Sequence, residues 1–376
     1  MRARALIPAV LAVASLGAPC TREAGAPVPS LPATDVEIHL AQLSAALSEP
    51  SGYFDTDNLI SNETPYLQVA DLLADSAPKG GVYVGVGPDQ NFTYIARVRP
   101  RYAFILDIRR QNVLQHLLFA ALLAQAGDPY QYLCLLFSRS CPVSTPEGAR
   151  AGMEGVLQAL EAEKPSEAAF LANLQAAYQH VEGTLQFPLR AQDKADIRKI
   201  YRSFFEEQTE IRFRTFGRTG TYHPTFRMLL TARSPSGRFG SFLAAREDYD
   251  FVRGLSRAQR IVPVVGDFAG PQALRGIGAW VREHGLTVSA FYTSNVEFYL
   301  MRDGTFARFV ANARELPSGP ESVVIRACFD YGRPHPAEIP GHRSVLLLQR
   351  LPRFLELFDA GAYSSDWDVC TADYLH

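Results

Sequence analysis

Residues 80–112 contain a strand, a glycine turn, a helix and a second strand in direct succession. The β-rich run over residues 82–86 leads into a turn at Gly87, and residues 91–98 have the composition of a helix. The apolar run over residues 101–108 then ends near Asp107. Strands that alternate with helices at this spacing are typical of parallel sheets, so we expect an α/β fold.

The glycines of this unit suit the close approach of a ligand. Gly85 and Gly87 let the backbone come near a bound group at a strand-to-helix turn, where free N–H groups favour polar or anionic atoms. Asp107 follows Gly87 by 20 residues, at the tip of the next strand, where a carboxylate can accept hydrogen bonds from ribose hydroxyls. The alternative interpretation is an ordinary strand–helix–strand unit with a capping turn and an Asp that binds nothing.

A second block repeats the alternation. Further strands are predicted over residues 260–267, 287–292, 322–329 and 344–351, with a helix over residues 271–284 that has Pro271 in its first turn. The first of these strands leads into Gly266, Asp267 and Phe268, and the second leads into Ser294 and Asn295. Polar residues at the ends of parallel strands meet at one edge of the sheet, where ligands bind.

These motifs resemble the class I S-adenosylmethionine-dependent methyltransferases. The resemblance implies a Rossmann-like doubly wound sheet, S-adenosylmethionine as the cofactor and no metal. At matching positions it implies these cofactor contacts: Gly85, Gly87, Gln90, Asn91, Asp107, Asp267 and Phe268. Tyr83 stands where the family has an acidic residue, and Asp89 where a third glycine is common. The family's NPPY-type tetrapeptide is missing, so no catalytic residue is assigned.

Substrate contacts are implied at two places. After the fourth strand the family places contacts that would fall on Asn295, with Ser294 and Glu297 beside it. A helix before the first strand often covers the cofactor in these enzymes, which implies polar contacts from Asn62 and Glu63. Ser, Asn and Glu before a helix are equally explained as a capping cluster.

A more specific resemblance is to an uncharacterised family of exported bacterial proteins with this fold. It rests on FDTDNLISNET at 54–64, GGVYVGVGPDQNFTYIARVRP at 80–100, VVGDFAGPQALR at 264–275 and AFYTSNVEFYL at 290–300. This resemblance implies the fold and a ligand pocket, and no known reaction.

The amino end has the pattern of an export signal. Residues 1–20 combine two early arginines with an uncharged apolar run too short for a comfortable membrane span. Cys20 ends this run as in a bacterial lipoprotein signal, which implies acylation and membrane attachment there, and residues 21–34 suit a flexible tether. We therefore expect an exported protein, either periplasmic or anchored as a lipoprotein.

The rest of the chain divides around the predicted sheet. Residues 35–376 are expected to form one methyltransferase-like domain with an amino-terminal helical cap and a mostly helical insertion over residues 131–259. Helices are predicted at 149–162, 166–181 and 192–207. The segment that follows offers these further candidates for substrate contact: Arg212, Arg214, Arg218, Tyr222 and His223. A single His without a visible partner is more often structural than catalytic.

Cysteines and charge limit the remaining possibilities. Besides Cys20 there are four cysteines, which could pair in an oxidising compartment, although buried free thiols are the interpretation that the sequence favours. There is no CxxC or HExxH motif to suggest a metal site. The net charge of −2 gives no general attraction to nucleic acid.

Two functions from different classes fit these features. One is a methyltransferase with a nucleoside-type pocket and an unidentified small-molecule acceptor. The other is a non-catalytic exported or lipid-anchored binding protein that reuses the fold, since S-adenosylmethionine is made in the cytosol.

Overall fold

The computed structural model describes residues 36–215, 223–329 and 332–376. The predicted signal at 1–20 with Cys20 and the tether at 21–34 lie outside the described residues, as do Arg218 and Tyr222.

Six strands of the described chain form one mixed sheet. They are β1 (Val82–Gly85), β2 (Tyr102–Asp107), β3 (Ile261–Val265), β4 (Val288–Ser294), β5 (Ser318–Phe329) and β6 (Ser344–Arg350). Their order is β3-β2-β1-β4-β5-β6, and every neighbouring pair is parallel except β5 with β6. The α/β class and all six strands expected from the sequence are thereby confirmed, with ends that differ by a few residues.

Fifteen α-helices lie within the same described residues. They are α1 (Leu40–Leu47), α2 (Ala70–Ser76), α3 (Gln90–Val98), α4 (Arg110–Gln125), α5 (Pro129–Leu136), α6 (Met153–Ala162), α7 (Glu167–Gln179), α8 (Ala191–Glu207), α9 (Phe226–Leu230), α10 (Arg246–Arg257), α11 (Ala273–Glu283), α12 (Val296–Arg302), α13 (Phe306–Arg314), α14 (Leu351–Asp359) and α15 (Asp366–Thr371). Helices α4 to α10 all lie between β2 and β3 in the chain. The helices predicted at 149–162, 166–181 and 192–207 are confirmed as α6, α7 and α8.

Both faces of the sheet are buried. Successive strand residues point to opposite faces, so each strand contributes side chains to two cores. Val82, Val84 and Phe104 belong to a core that includes residues of α1, α11, α13 and α14. Tyr83 and Ile105 belong to a second core, which is built with α2 to α10. Helices therefore cover both faces and leave the strand ends for a site.

Helix α11 begins two residues later than the sequence suggested. Pro271 is not in its first turn, because the helix starts at Ala273. The carboxylate of Glu49 accepts hydrogen bonds from the backbone N–H groups of Gln272 and Ala273, each at 2.7 Å. This distant carboxylate satisfies donors at the helix start, as a local capping residue would.

The four cysteines of the described chain form two disulfides. Cys134 bonds to Cys141, and Cys328 on β5 bonds to Cys370 on α15. The expectation of buried free thiols was therefore wrong, because packing brings Cys328 and Cys370 together across 42 residues of sequence.

Candidate functional site

A cavity of about 290 Å³ lies where the first four strands end. Its lining includes residues that follow β1, β2, β3 and β4 and residues from the segment before α2. Among the sequence-predicted residues, the cavity brings together Asn62, Gly87, Asp107, Asp267, Phe268 and Asn295. Gly85, Gln90, Asn91 and Glu63 do not line it.

The glycine turn at Gly87 is held by hydrogen bonds from side chains of α4. Gly87 has a φ of 82°, which favours glycine, and its carbonyl accepts hydrogen bonds from Asn112 at 2.8 Å and from His116 Nε2 at 2.9 Å. Because a carbonyl can only accept, His116 carries its proton on Nε2. Burial lowers the pKa of His116 to about 4, so the ring is neutral at pH 7.

Asn91 shapes this turn without lining the cavity. Its amide nitrogen donates to the carbonyls of Val86 at 2.9 Å and Pro88 at 2.7 Å, and its Oδ1 accepts from the Tyr83 hydroxyl at 2.9 Å. A Cβ at Gly85 would overlap Asn91 Oδ1. Gly85 and Asn91 thus fix the loop that presents Gly87.

Asp107 is bound by its own neighbour in sequence. Nε and Nη2 of Arg109 lie 3.2 Å from Oδ1 and Oδ2 of Asp107, and the backbone N–H of Arg109 donates to Oδ1 at 2.9 Å. Nη1 of Arg109 also donates to the carbonyls of Thr56 and Asp57, at 3.1 and 2.9 Å. With Oδ1 accepting two bonds, Oδ2 is the atom with room for a ligand hydroxyl. Arg109 lines the cavity and was not predicted, although an Arg two residues after the acid was a visible signal.

Asp267 and Phe268 border the cavity beyond the end of β3. Oδ1 of Asp267 accepts from the backbone N–H of Ala269 at 2.9 Å, and nothing among the described residues pairs with Oδ2. The Phe268 ring is 3% exposed and packs against Phe291 and Phe309, with centroids 5.1 and 5.8 Å away. Asp267 can therefore accept from a ligand, beside an apolar wall.

The two substrate contacts predicted before α2, Asn62 and Glu63, lie in different surroundings. Asn62 lines the cavity, whereas Glu63 is fully buried beneath it. The Glu63 carboxylate accepts from Ser294 Oγ at 2.5 Å, from the Tyr292 hydroxyl at 2.9 Å and from Gln90 Nε2 at 2.6 Å. Gln90 is therefore a partner of Glu63, and burial raises the pKa of this carboxyl group.

Of the polar residues at the end of β4 and just beyond it, Ser294 and Asn295 line the cavity and Glu297 does not. Glu297 is buried in a bidentate ion pair with Arg326, whose Nε and Nη2 lie 3.0 and 3.2 Å from its two oxygens. The side chain of Glu297 therefore faces β5 and not the cavity.

The described candidates from the insertion lie outside the cavity lining. Arg212 donates to the carbonyl of His223, and Arg214 pairs with Glu207 at 2.5 Å. The ring of His223 packs edge-on against Phe213, with centroids 4.8 Å apart, and Phe213 itself lines the cavity.

The cavity mouth is aromatic, which the sequence analysis missed. Tyr53, Phe54 and Tyr299 line it, and the rings of Phe54 and Tyr299 meet edge-on with centroids 4.9 Å apart. Tyr53 is 79% exposed. The available signal was the aromatic pair immediately before the polar segment at 55–58.

Asp89 immediately precedes α3, and it lines a second cavity. That cavity is about 20 Å³, the room of a single water molecule, and Tyr66 and Thr93 also line it. Desolvation raises the pKa of Asp89 to about 7. Asp89 therefore titrates near neutrality beside the glycine turn.

Neither a metal cluster nor a membrane span is found in the described part of the chain. Residues 36–215, 223–329 and 332–376 contain no group of three or more His, Cys, Asp or Glu side chains placed to hold a metal ion. No helix in these ranges is long and apolar enough to cross a bilayer.

Comparison with known proteins places the chain in one family. The sequence model of the family described as Domain of unknown function (DUF7790) matches residues 58–366, so the chain belongs to that family. The match spans β1 to β6 and most of the cavity lining. A search of curated proteins found no match.

Proposed function

We propose that the chain is an S-adenosylmethionine-dependent methyltransferase with a Rossmann-like, doubly wound fold. The observation that carries this proposal is the meeting of Gly87, Asp107, Asp267 and Phe268 around one cavity at the ends of adjacent parallel strands. Parallel strands in this order, with one antiparallel strand at the edge, support the resemblance to class I methyltransferases.

The residues present fit the nucleoside part of such a donor. Oδ2 of Asp107 can accept from a ribose hydroxyl, and Oδ2 of Asp267 can accept from the amino group of adenine. Phe268 supplies an apolar wall for the base. The cavity volume of about 290 Å³ is near the lower end of the roughly 300–1,000 Å³ of small-molecule sites. When bound, the donor supplies a methyl group on a sulfonium sulfur.

This chain's residues would contribute chiefly position and exclusion of water. Gly87 holds the turn open, and the segment from Tyr53 to Asn62 covers the cavity from the other side. Methyl transfer depends on alignment and desolvation more than on a strong acid. A rigid cavity lining would provide that alignment.

Calorimetric titration of the full chain with S-adenosylhomocysteine tests this proposal. We expect binding that weakens about tenfold in Asp107→Asn, because one hydrogen bond from a ribose hydroxyl to a charged oxygen is lost. Asp75→Asn is the matched control, since Asp75 is exposed on α2. An absence of binding by folded protein would refute the proposal.

The second candidate is a non-catalytic exported binding protein with the same fold. The two disulfides favour it, because they indicate an oxidising compartment where S-adenosylmethionine is not ordinarily present. Arg109 favours it as well, because it already occupies much of the Asp107 carboxylate.

Mass spectrometry of the protein from its native cells separates the two candidates. Intact disulfides, a mature amino end at Cys20 and a bound small molecule other than S-adenosylmethionine or S-adenosylhomocysteine would favour the binding protein. An unprocessed amino end with reduced cysteines would favour a cytosolic enzyme.

A further inference from the structure

The cavity has a second half whose chemistry differs from that of the nucleoside side. This half is lined by the aromatic residues Tyr53, Phe54 and Tyr299 and by Tyr292 and Ser294, whose hydroxyls donate to Glu63. Edge-on packing of Phe54 against Tyr299 holds these two rings in place. A planar ring with one polar substituent matches this arrangement.

A carboxylate lies directly behind those hydroxyls. Glu63 is 0% exposed, and Oε1 accepts from Ser294 Oγ at 2.5 Å and from the Tyr292 hydroxyl at 2.9 Å. Within the described residues no Arg, Lys or His side chain pairs with Glu63. A buried carboxylate held by neutral donors and no cation is an avid proton acceptor.

Every side chain that faces Glu63 is neutral. Tyr292 and Ser294 contact it from β4, and Gln90 contacts it from α3. Tyr94 of α3 and Tyr83 of β1 lie nearby, and burial raises the pKa of both phenols. Glu63 is the carboxylate among these contacting groups, so it is the one that can accept a proton from a ligand.

The backbone at Ser294 is strained toward this contact. Ser294 has a φ of 54°, in the left-handed region that side chains other than glycine seldom adopt. Such strain at the end of a strand often accompanies a functional role, and here it accompanies a hydroxyl set between the cavity and Glu63.

We propose that the cavity takes a hydroxyl-bearing aromatic molecule, whose ring lies among the mouth aromatics and whose hydroxyl proton passes through Ser294 to Glu63. This inference rests on the proposed function, in which the aromatic molecule is the methyl acceptor. The ligand O–H bond gives its proton to Ser294 Oγ, and Ser294 gives its own proton to Oε1 of Glu63. The ligand oxygen keeps the electron pair, so the step needs no oxidant or reductant.

Two coloured probes separate contact with the ring from acceptance of the proton. 4-Nitrophenol and its methyl ether 4-nitroanisole have the same ring, but only the phenol has a proton to give. Equilibrium dialysis against the full-length chain measures the two affinities. We expect the wild-type protein to prefer the phenol by about tenfold or more, because only the phenol can donate a hydrogen bond toward Glu63.

Variants then show which residues cause the preference for 4-nitrophenol over 4-nitroanisole. Glu63→Gln keeps the shape of the side chain and Ser294→Gly suits the positive φ, and we expect either change to reduce the preference to about twofold or less. Tyr53→Ala is the control, since loss of a mouth ring weakens both probes equally and leaves the preference unchanged. A thermal unfolding curve for each variant checks that it is folded.

The outcomes are distinguishable. A preference retained in folded Glu63→Gln overturns the proton relay, and failure of both probes to bind wild-type protein overturns the aromatic ligand. S-Adenosylhomocysteine is titrated into the same preparations. Its failure to bind overturns the proposed function, whichever way the phenol experiment turns out.

Discussion

Arg109 binds the carboxylate of Asp107 through two atoms of its guanidinium group, with Nε to Oδ1 and Nη2 to Oδ2 both at 3.2 Å. The side chains are 7% and 5% exposed, so the pair is almost entirely out of water. The same guanidinium group also donates to the carbonyls of Thr56 and Asp57, in the segment that contributes Phe54 and Asn58 to the cavity lining. One residue therefore neutralises the acid expected to bind ribose and fastens the segment that covers the site.

We predict that Arg109→Gln lowers the free energy of unfolding by about 3 kcal/mol, because removing one partner leaves a buried charge uncompensated. In a double-mutant cycle with Asp107→Asn, the two costs should fall short of additivity by about 1 kcal/mol or more. Urea denaturation measures all four proteins. Arg302→Gln is the control, since its pair with Asp303 is exposed to solvent and should contribute little to stability. Additive costs would contradict a direct Arg109–Asp107 interaction.

We predict that Asp89→Asn stabilises the protein at pH 8 and not at pH 4. The folded pKa of Asp89 is about 7, against an ordinary value of 3.8, so the folded state binds the extra proton between these pH values. Wild-type stability from this group is therefore lost as the pH rises from 4 to 7, and the neutral amide avoids the loss.

Because Asp89 keeps some contact with solvent, we expect a gain of about 2 kcal/mol at pH 8. Thermal unfolding across this pH range measures it, with Asp75→Asn as the exposed control on α2. An equal effect of Asp89→Asn at both pH values would show that desolvation of the carboxylate is not its cause.

We predict that Glu297→Gln destabilises the fold without changing ligand affinity. The change leaves the guanidinium of Arg326, which is 1% exposed, without its anionic partner, at a cost of about 3 kcal/mol. Because Glu297 does not line the cavity, folded variant protein should bind S-adenosylhomocysteine as wild type does. Glu283→Gln, at the exposed end of α11, should change stability by about 0.5 kcal/mol or less. A weaker affinity for S-adenosylhomocysteine with unchanged stability would contradict this prediction and indicate that Glu297 contacts the ligand.

We predict that the two disulfides contribute unequally to stability. Replacing Cys328 and Cys370 by Ala should cost about 4 kcal/mol, because their bond closes a separation of 42 residues in the unfolded chain. Replacing Cys134 and Cys141 by Ala should cost about 2 kcal/mol, since their separation is 7 residues. Guanidinium denaturation of each double variant gives the comparison, and a larger loss for the shorter loop would contradict this account.

Much of the fold followed from local pattern. The strands at 101–108 and 260–267 are β2 and β3 with ends within two residues, because continuous apolar runs between turn residues predict buried strands. The polar residues that end those strands, Asp107 and Asp267, line one cavity because parallel strands bring their carboxyl ends to the same edge.

Local sequence pattern did not predict which of two neighbouring residues would line the cavity. Asn62 and Glu63 were expected to act alike, yet one lines the cavity and the other is buried beneath it. Adjacent side chains in an extended segment point in opposite directions, and only the packed position of the segment decides which one faces the ligand.

The sequence alone determined the α/β alternation, the glycine turn and the strand ends that carry polar residues, because hydrophobic periodicity and turn preference act over a few neighbouring positions. The tertiary structure decided which partners those residues have. Glu63 meets Tyr292 across 229 positions of sequence, and Glu49 caps α11 across 224 positions to Ala273. Such contacts depend on how whole elements pack, since the energy of a buried polar group depends on the groups that surround it in three dimensions.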